Sequence, residues 1–443
     1  MEYDIIIIGA GPAGYVAAIR AGQLGMKTAL IEKKHIGGMC LNWGCIPTKA
    51  MIESAKLLEK ARHAPDFGVR GIREEELELD WDRVKERASA IVGKMSGGIG
   101  WLLKKNGVDI IQGEARINGS GSVSVDKRHL KAGKIIIATG SYPGLSPLPV
   151  NHKDVIQIDH LFSIPKLPGS VAILGRGPVA AELALFFRLA GSEVHLLAPK
   201  GDFLPGMDAF LEDYALRSLK KRGVNLHRGG QITAYQKGKL SIGKQKVSCE
   251  LIVNASWRKA VIPKAEPTIE TDEAGFLKTD EFFQTSVPGI YAIGDVNGKS
   301  YLAHVASAQG IWLVNHFKGI RTSFDFKNYP YNLYTYPEIA QIGSTESQLK
   351  ESGIPYKINE MSLSANGKAL TEGNTEGFIR ILSEERYGQV MGVQIVAEHA
   401  TDMIAEAAAY MQIEGTVYDI AQTIHAHPTV SEVFMDTGFD AIK

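Results

Sequence analysis

Only three cysteines occur in 443 residues, which excludes the disulfide framework of a secreted scaffold. Charge of one sign is not in excess either: 49 lysines and arginines balance 49 aspartates and glutamates. No net field therefore draws the chain to a nucleic acid or an anionic membrane. No stretch approaches the roughly eighteen uninterrupted apolar residues of a membrane span. The opening "MEYDIIIIGAG" enters an apolar run at once, with no basic leader or presequence. These absences predict a cytoplasmic protein with neither a nucleic-acid nor a membrane partner.

What is present is 44% hydrophobic residue content, enough at about 150 residues per domain for roughly three domains with full cores. "YDIIIIGAGPAGYVAAIRAGQLGMKTALIEK" reads as a buried strand, a glycine turn, a helix and a second strand ending on Glu32. The continuous run Ile5 to Ile8 suits a strand covered on both faces of a parallel sheet. From Ser170 to Lys200, "SVAILGRGPVAAELALFFRLAGSEVHLLAPK" repeats the plan. Two such βαβ units mean two dinucleotide-binding folds. The segment around residues 60–107 reads as charged and helix-rich, its charges a solvated face. After Arg321 the pattern changes: "EGFIRILSEERYGQVMGVQIVAE" predicts a hairpin with alternating faces, and "HATDMIAEAAAYMQIEG" a helix.

In the first unit Gly9, Gly11 and Gly14 form a GxGxxG between strand and helix. Gly9 permits the tight turn, Gly11 the approach of a pyrophosphate, and Gly14 close helix packing. Glu32, 18 residues after Gly14, stands where a carboxylate can accept hydrogen bonds from an adenosine ribose. The second unit keeps Gly175, Gly177 and Ala180, but Ala198 stands in place of the ribose-binding acid. Selection against a 2′-phosphate is thereby weakened, and Lys200 could attract one.

Cys40 and Cys45 lie five positions apart in "GGMCLNWGCIPTK". In an ideal helix that spacing is about 7.5 Å along the axis, beyond the usual Cα separation of a disulfide. A bridge needs an irregular turn, which Gly37, Gly38, Gly44 and Pro47 could supply. The spacing is also wide for zinc, and no second cysteine pair exists. A redox-active pair is the favoured reading, against two inert buried thiols or a metal site. Cys249 in "KVSCELIV" reads as a small buried hydrophobe.

Further motifs follow in order: "IIIATGSYP" at 135–143, "TSVPGIYAIGDV" at 285–296, "LAHVASAQG" at 302–310, "YTYPEIAQIG" at 334–343 and "HAHPTVSE" at 425–432. With the cysteine motif, the set resembles the pyridine nucleotide-disulfide oxidoreductases, most closely their lipoamide branch. The resemblance implies an α/β fold with two Rossmann-like dinucleotide-binding domains and a C-terminal α+β dimerisation domain. Residues 1–145 and 263–325 would bind FAD, 146–262 NAD(P), and 326–443 would form the dimer interface.

The implied enzyme is a flavoprotein that oxidises dihydrolipoamide, free or on a lipoyl-bearing protein, with NAD⁺. By matching position, Cys40 would be the interchange thiol and Cys45 the thiol facing the flavin. Lys49 would approach the flavin and pair with Glu182. Asp295 would bind the ribityl chain, with Thr139 and Gly140 also at the cofactor. The helix opening at Ala303 and His304 would stabilise negative charge on the flavin. His427, oriented by Glu432, would act as base at the disulfide of the other subunit of a homodimer. Ala198 leaves NADP possible. Two alternatives stay open: an NADPH-linked reductase of another small disulfide, and a docking flavoprotein with weak nicotinamide turnover.

Overall fold

Ile5, Ile6 and Ile7 are fully buried, each contributing about 1.5–3 kcal/mol of hydrophobic stabilisation, and they centre the first sheet. In the computed structural model, residues 2–144, 155–230, 232–236, 238–255 and 258–443 are described. The chain divides into two units, Met1–Ser54 with Glu78–Lys166 and Ser256–Phe324, and Ala55–Leu77 with Leu167–Ala255 and Asp325–Lys443. The boundary expected at 145/146 lies outside the described residues.

In the first unit the strand Glu2–Ile8 leads through the helix Pro12–Gln23 to the strand Thr28–Glu32. The strand Arg128–Ile137 lies on the other side of the first, and both neighbours run parallel to it, with Ile8 opposite Ile31 and Ile137. Asp109–Gln112 extends the sheet beside Thr28–Glu32, and Ile290–Ala292 pairs parallel with Arg128–Ile137. Crossover connections bring the carboxyl ends of these strands to one edge, where the glycine turn sits. The charged segment gives the helix Trp81–Lys105, capped by the Asp80 carboxylate on Arg83 N.

The second unit repeats the plan with Ser170–Gly175, the helix Pro178–Leu189 and Glu193–Ala198. Its parallel strands run Asn225–Arg228, Glu193–Ala198, Ser170–Gly175 and Leu251–Ala255. Cys249 is fully buried, as its apolar setting predicts.

The same unit holds an antiparallel sheet ordered Tyr331–Leu333, Glu338–Gly343, Val390–Ala397, Phe378–Glu384 and Tyr356–Ser362. The predicted hairpin is there, but its faces do not alternate between core and solvent: Phe378 to Ser383 are all buried. The cause is cover on both sides. Ile379, Ile381, Val393 and Ile395 pack with Ile404 and Ala407 of the helix Ala400–Gln412. On the opposite face, Phe210 and Tyr214 of the helix Ala209–Lys221 meet Phe378 edge-on, and the Arg380 guanidinium lies 3.9 Å from the Phe210 ring centre. Periodicity assumed one wet face; tertiary packing closes it.

Candidate active site

The first glycine turn is held from both flanking strands. Gly9 N donates to Ile31 O and Ala138 N to Ile8 O, each at 2.8 Å. Gly14 tolerates no side chain, since a Cβ there would stand 1.8 Å from Gly9 O. Gly11 is different: a Cβ there would meet only Gly38 Cα, at 4.0 Å. That open space lies at the start of the helix Pro12–Gln23, which has no side-chain cap. The helices Pro178–Leu189 and Ala303–Phe317 also start without a side-chain cap. By contrast Asp208, Thr345 and Thr416 cap helices elsewhere. An uncapped N-terminus beside a glycine turn leaves backbone N–H groups for a phosphate.

At the strand end, Glu32 accepts from Ala10 N and Lys34 N, both at 2.7 Å. The carboxylate is fixed at the rim of the turn, with lone pairs to spare for a ribose diol.

The cysteine motif is built onto this turn. Gly37 N donates to Ala10 O at 2.8 Å, and a Cβ on Gly38 would stand 2.7 Å from Gly11 Cα. Both glycines adopt positive φ, 97° and 60°, which explains the glycine pair before the first cysteine. Cys40 lies in the short helix Gly38–Asn42, and Cys45 opens the helix Cys45–Arg62. The break at Trp43 and Gly44 is the irregular turn that the spacing demanded. Both cysteines are thiols here. A hydrogen bond between their side chains raises the Cys40 pKa well above the usual thiol range, and burial raises it further, while the Lys49 ammonium pulls it down. Lys49, one turn after Cys45, thus sits within electrostatic reach of the pair. Tyr15, on the helix that follows the glycine turn, is raised by burial and then by the charges of Cys40 and Cys45.

Asp295 follows the strand Ile290–Ala292. Its Oδ2 accepts from Ser141 Oγ and lies 3.6 Å from Arg258 Nε. Burial pushes its pKa up, against Ser141 and Arg258, which lower it. Thr139 Oγ1 donates to Val261 O, and Gly140 O accepts from Val261 N at 2.9 Å. Thr139 Cα lies 3.0 Å from where a Gly9 Cβ would stand, and a Gly294 Cβ would lie 3.1 Å from Ala13 Cβ. The first unit therefore gathers Gly9, Gly11, Gly14, Thr139, Gly140 and Asp295 around one edge. The open cradle over Gly11, the uncapped helices and the ordered carboxylates of Glu32 and Asp295 fit a dinucleotide with a pyrophosphate and two polyol segments.

In the second unit Gly175 and Gly177 take positive φ, 143° and 89°. Ala198 ends the strand Glu193–Ala198 and is 4% exposed. Glu182 is buried and accepts from Tyr334 N at 3.2 Å. The Tyr331 phenol is pushed up by burial first and by the Glu182 charge second.

Toward the C-terminus, His427 Nδ1 lies 2.8 Å from Glu432 Oε1, and Glu432 Oε2 accepts from Thr429 N at 2.8 Å. The Thr429 N–H, then His427, hold the Glu432 carboxyl below the usual range. The His427 ring is 80% exposed, so its second nitrogen is open to a partner. His425 is otherwise placed: its ring contacts Glu406 at 2.7 Å and Thr423 O at 2.9 Å and stacks on Phe434.

Residues 3–310 match the family model of the pyridine nucleotide-disulphide oxidoreductases, and residues 329–437 match that family's dimerisation domain. The chain belongs to this family. It is therefore a flavoprotein disulfide oxidoreductase, and the family's cofactors are FAD and NAD(H). It is similar to dihydrolipoyl dehydrogenases of Bacillus subtilis (36% identical, 99% of this chain, 98% of that one), Rhizobium etli (35%, 99% and 98%) and human mitochondria (34%, 100% and 91%). Among solved structures, LpdA from Mycobacterium tuberculosis shares the fold at TM-score 0.89 and 24% identity, covering 98% of this chain and 99% of its own. The dimerisation domain supports a homodimer. Among the described residues no helix is long and apolar enough to cross a membrane.

Sequence reasoning overlooked Ser141 and Arg258, which hold Asp295, and Tyr15 beside the cysteines. Ser141 directly follows Gly140 in "ATGSYP", and Tyr15 follows Gly11 by one helical turn, so spacing could have found both. Arg258 had no local signal.

Gly11 and Gly14 separate binding from folding in this family's cofactor turn. Gly11→Ala places a methyl in open space at an ordinary φ of −72°, so the protein is expected to fold with unchanged apo melting temperature but to retain little FAD. Gly14→Ala drives a methyl into Gly9 O and is expected to destabilise by about 1–3 kcal/mol or more. Flavin-to-protein absorbance ratios and melting curves of both variants check the pair; full flavin content in Gly11→Ala would contradict it.

Proposed function

We propose that this chain is a dihydrolipoyl dehydrogenase, oxidising a dihydrolipoyl group, on a carrier protein or as the free amide, with a nicotinamide nucleotide in the cytoplasm. The observation that carries the reading is the Cys40–Cys45 pair in side-chain contact on the first dinucleotide turn. The names of the full-length relatives support it. Residues 1–145 and 263–325 hold FAD in this reading, 146–262 the nicotinamide nucleotide, and 326–443 the dimer interface.

His427 of the partner subunit, oriented by the carboxylate of its own Glu432, takes a proton from one substrate thiol. In the oxidised enzyme, where a disulfide joins Cys40 and Cys45, the thiolate attacks Cys40 Sγ, that disulfide breaks, and Cys45 leaves as thiolate. The second substrate thiol, once deprotonated, attacks the substrate sulfur of the mixed disulfide and expels Cys40. The lipoyl disulfide is then formed, and the enzyme dithiol holds the two electrons. Lys49 stabilises negative charge at the pair. FAD, when bound, supplies the two-electron coupling between a dithiol and a nicotinamide. Glu32, the turn of Gly9, Gly11 and Gly14, Thr139, Gly140, Asp295 and the helix opening at Ala303 hold it. Gly175 and Gly177 receive the second nucleotide.

The test is anaerobic addition of dihydrolipoamide to the yellow holoenzyme, followed by NAD⁺ or NADP⁺. Loss of the flavin absorbance and its return on adding a nucleotide are expected. No reduction by dihydrolipoamide moves the function to the second reading, a reductase of another small disulfide linked to NADPH, which Ala198 favours.

A further inference from the structure

The two dinucleotide folds of this chain differ at the end of the second strand. In the first, the strand after the glycine turn ends on Glu32, whose carboxylate is fixed by Ala10 N and Lys34 N. In the second, the same strand ends on Ala198, a buried methyl with nothing to offer a ribose hydroxyl.

The neighbouring strand fills that gap with positive charge. Ala198 is the register partner of Arg228, at the end of Asn225–Arg228. Parallel neighbours lie about 4.8 Å apart and project to the same face, so Arg228 stands beside the place an acid would occupy. Its Nη2 donates to Gly201 O at 2.6 Å and lies 3.5 Å from Glu212 Oε1. The guanidinium is 47% exposed and has further N–H donors to give. Lys200 lies over Gly229, where a Cβ would come within 2.5 Å of Lys200 Cγ; the glycine makes room for the lysine stem. Arg176, between Gly175 and Gly177, reaches toward Asp202 O at 3.5 Å. Arg228 and Arg176 thus both reach residues 201–202, and the Lys200 stem lies beside Arg228 over Gly229. Opposing them are Asp202 and Glu212, and Glu212 is engaged by Leu204 N at 2.8 Å.

A free ribose diol is best met by a carboxylate acceptor, whereas a phosphate monoester carries about −1.5 to −2 charges and is best met by arginine and lysine. The missing acceptor and the added donors point the same way. We propose that the second dinucleotide site binds an adenosine 2′-phosphate through Arg228 and Lys200, with Arg176 adding charge, so that NADP(H) is a coenzyme of this chain. The inference rests on the reading of residues 170–200 as a nicotinamide-nucleotide site.

Calorimetric titration of the holoenzyme with ADP-ribose and with 2′-phospho-ADP-ribose tests it without involving turnover, so a wrong thiol substrate does not affect the result. Tighter binding of the 2′-phosphorylated analogue is expected, by about 10–100-fold, the size of one charge-assisted hydrogen bond or a little more. Arg228→Ala should lose about tenfold of that preference and leave ADP-ribose binding unchanged, and Ala198→Glu should reverse it. Equal or weaker binding of the phosphorylated analogue overturns the proposal, as does an undiminished preference in Arg228→Ala. Failure to bind either analogue overturns the nucleotide site itself, and the inference with it.

Discussion

Replacing Cys45 by serine is expected to abolish dihydrolipoamide turnover while FAD stays bound. A single thiol at Cys40 cannot close a disulfide within the site, so the enzyme has no oxidant to offer the substrate dithiol. The groups proposed to hold FAD are elsewhere in the first unit: the glycine turn, Glu32 and Asp295 with Ser141 and Arg258. Flavin content should therefore match the parent protein. The measurement is anaerobic addition of dihydrolipoamide with absorbance followed in the flavin band; bleaching and turnover in the variant would refute the assignment. A second readout comes from Cys40. The hydrogen bond that the Cys40 thiol donates to Cys45 is the largest cause of its raised pKa, so Cys45→Ala should let iodoacetamide label Cys40 at lower pH than in the reduced parent.

Substitution of His427 by glutamine is expected to cost about 10²–10⁴-fold in kcat, the usual range for a lost general base. The ring is held by Glu432, which stays ionised through the neutral range because the Thr429 N–H and His427 lower its pKa. Glu432 fixes the ring through Nδ1 and leaves the second nitrogen for the substrate thiol. Glu432→Gln keeps a hydrogen-bonding partner for the ring but removes the carboxylate charge that balances a proton taken from the thiol, so kcat is expected to fall, by less than in His427→Gln. Steady-state kinetics of both variants, with flavin content as control, decide it. A parental kcat in His427→Gln would remove the histidine from the mechanism.

The parts of the site that were legible in the sequence are those built from short stretches of chain. The turn from Gly9 to Gly14, the strand ending at Glu32 and the break between Cys40 and Cys45 each complete their geometry within one or two elements. His427 and Glu432 are five residues apart, on the short segment that leads into the helix Glu432–Ala441. Local chemistry sets such arrangements, because glycine conformation and helix spacing restrict them before any distant residue arrives.

The rest depended on which strands became neighbours. Ser141 and Asp295 are 154 positions apart and meet because Arg128–Ile137 and Ile290–Ala292 pair in one sheet. Arg228 faces the gap left by Ala198 only through the register of two parallel strands. The Phe378–Glu384 strand read as half-wet until helices covered both faces. By itself, the sequence determined the two βαβ units, the redox motif and the family. Strand order, register and cover were decided by the tertiary structure, since burying apolar surface on both sides of a sheet selects partners that no local pattern encodes.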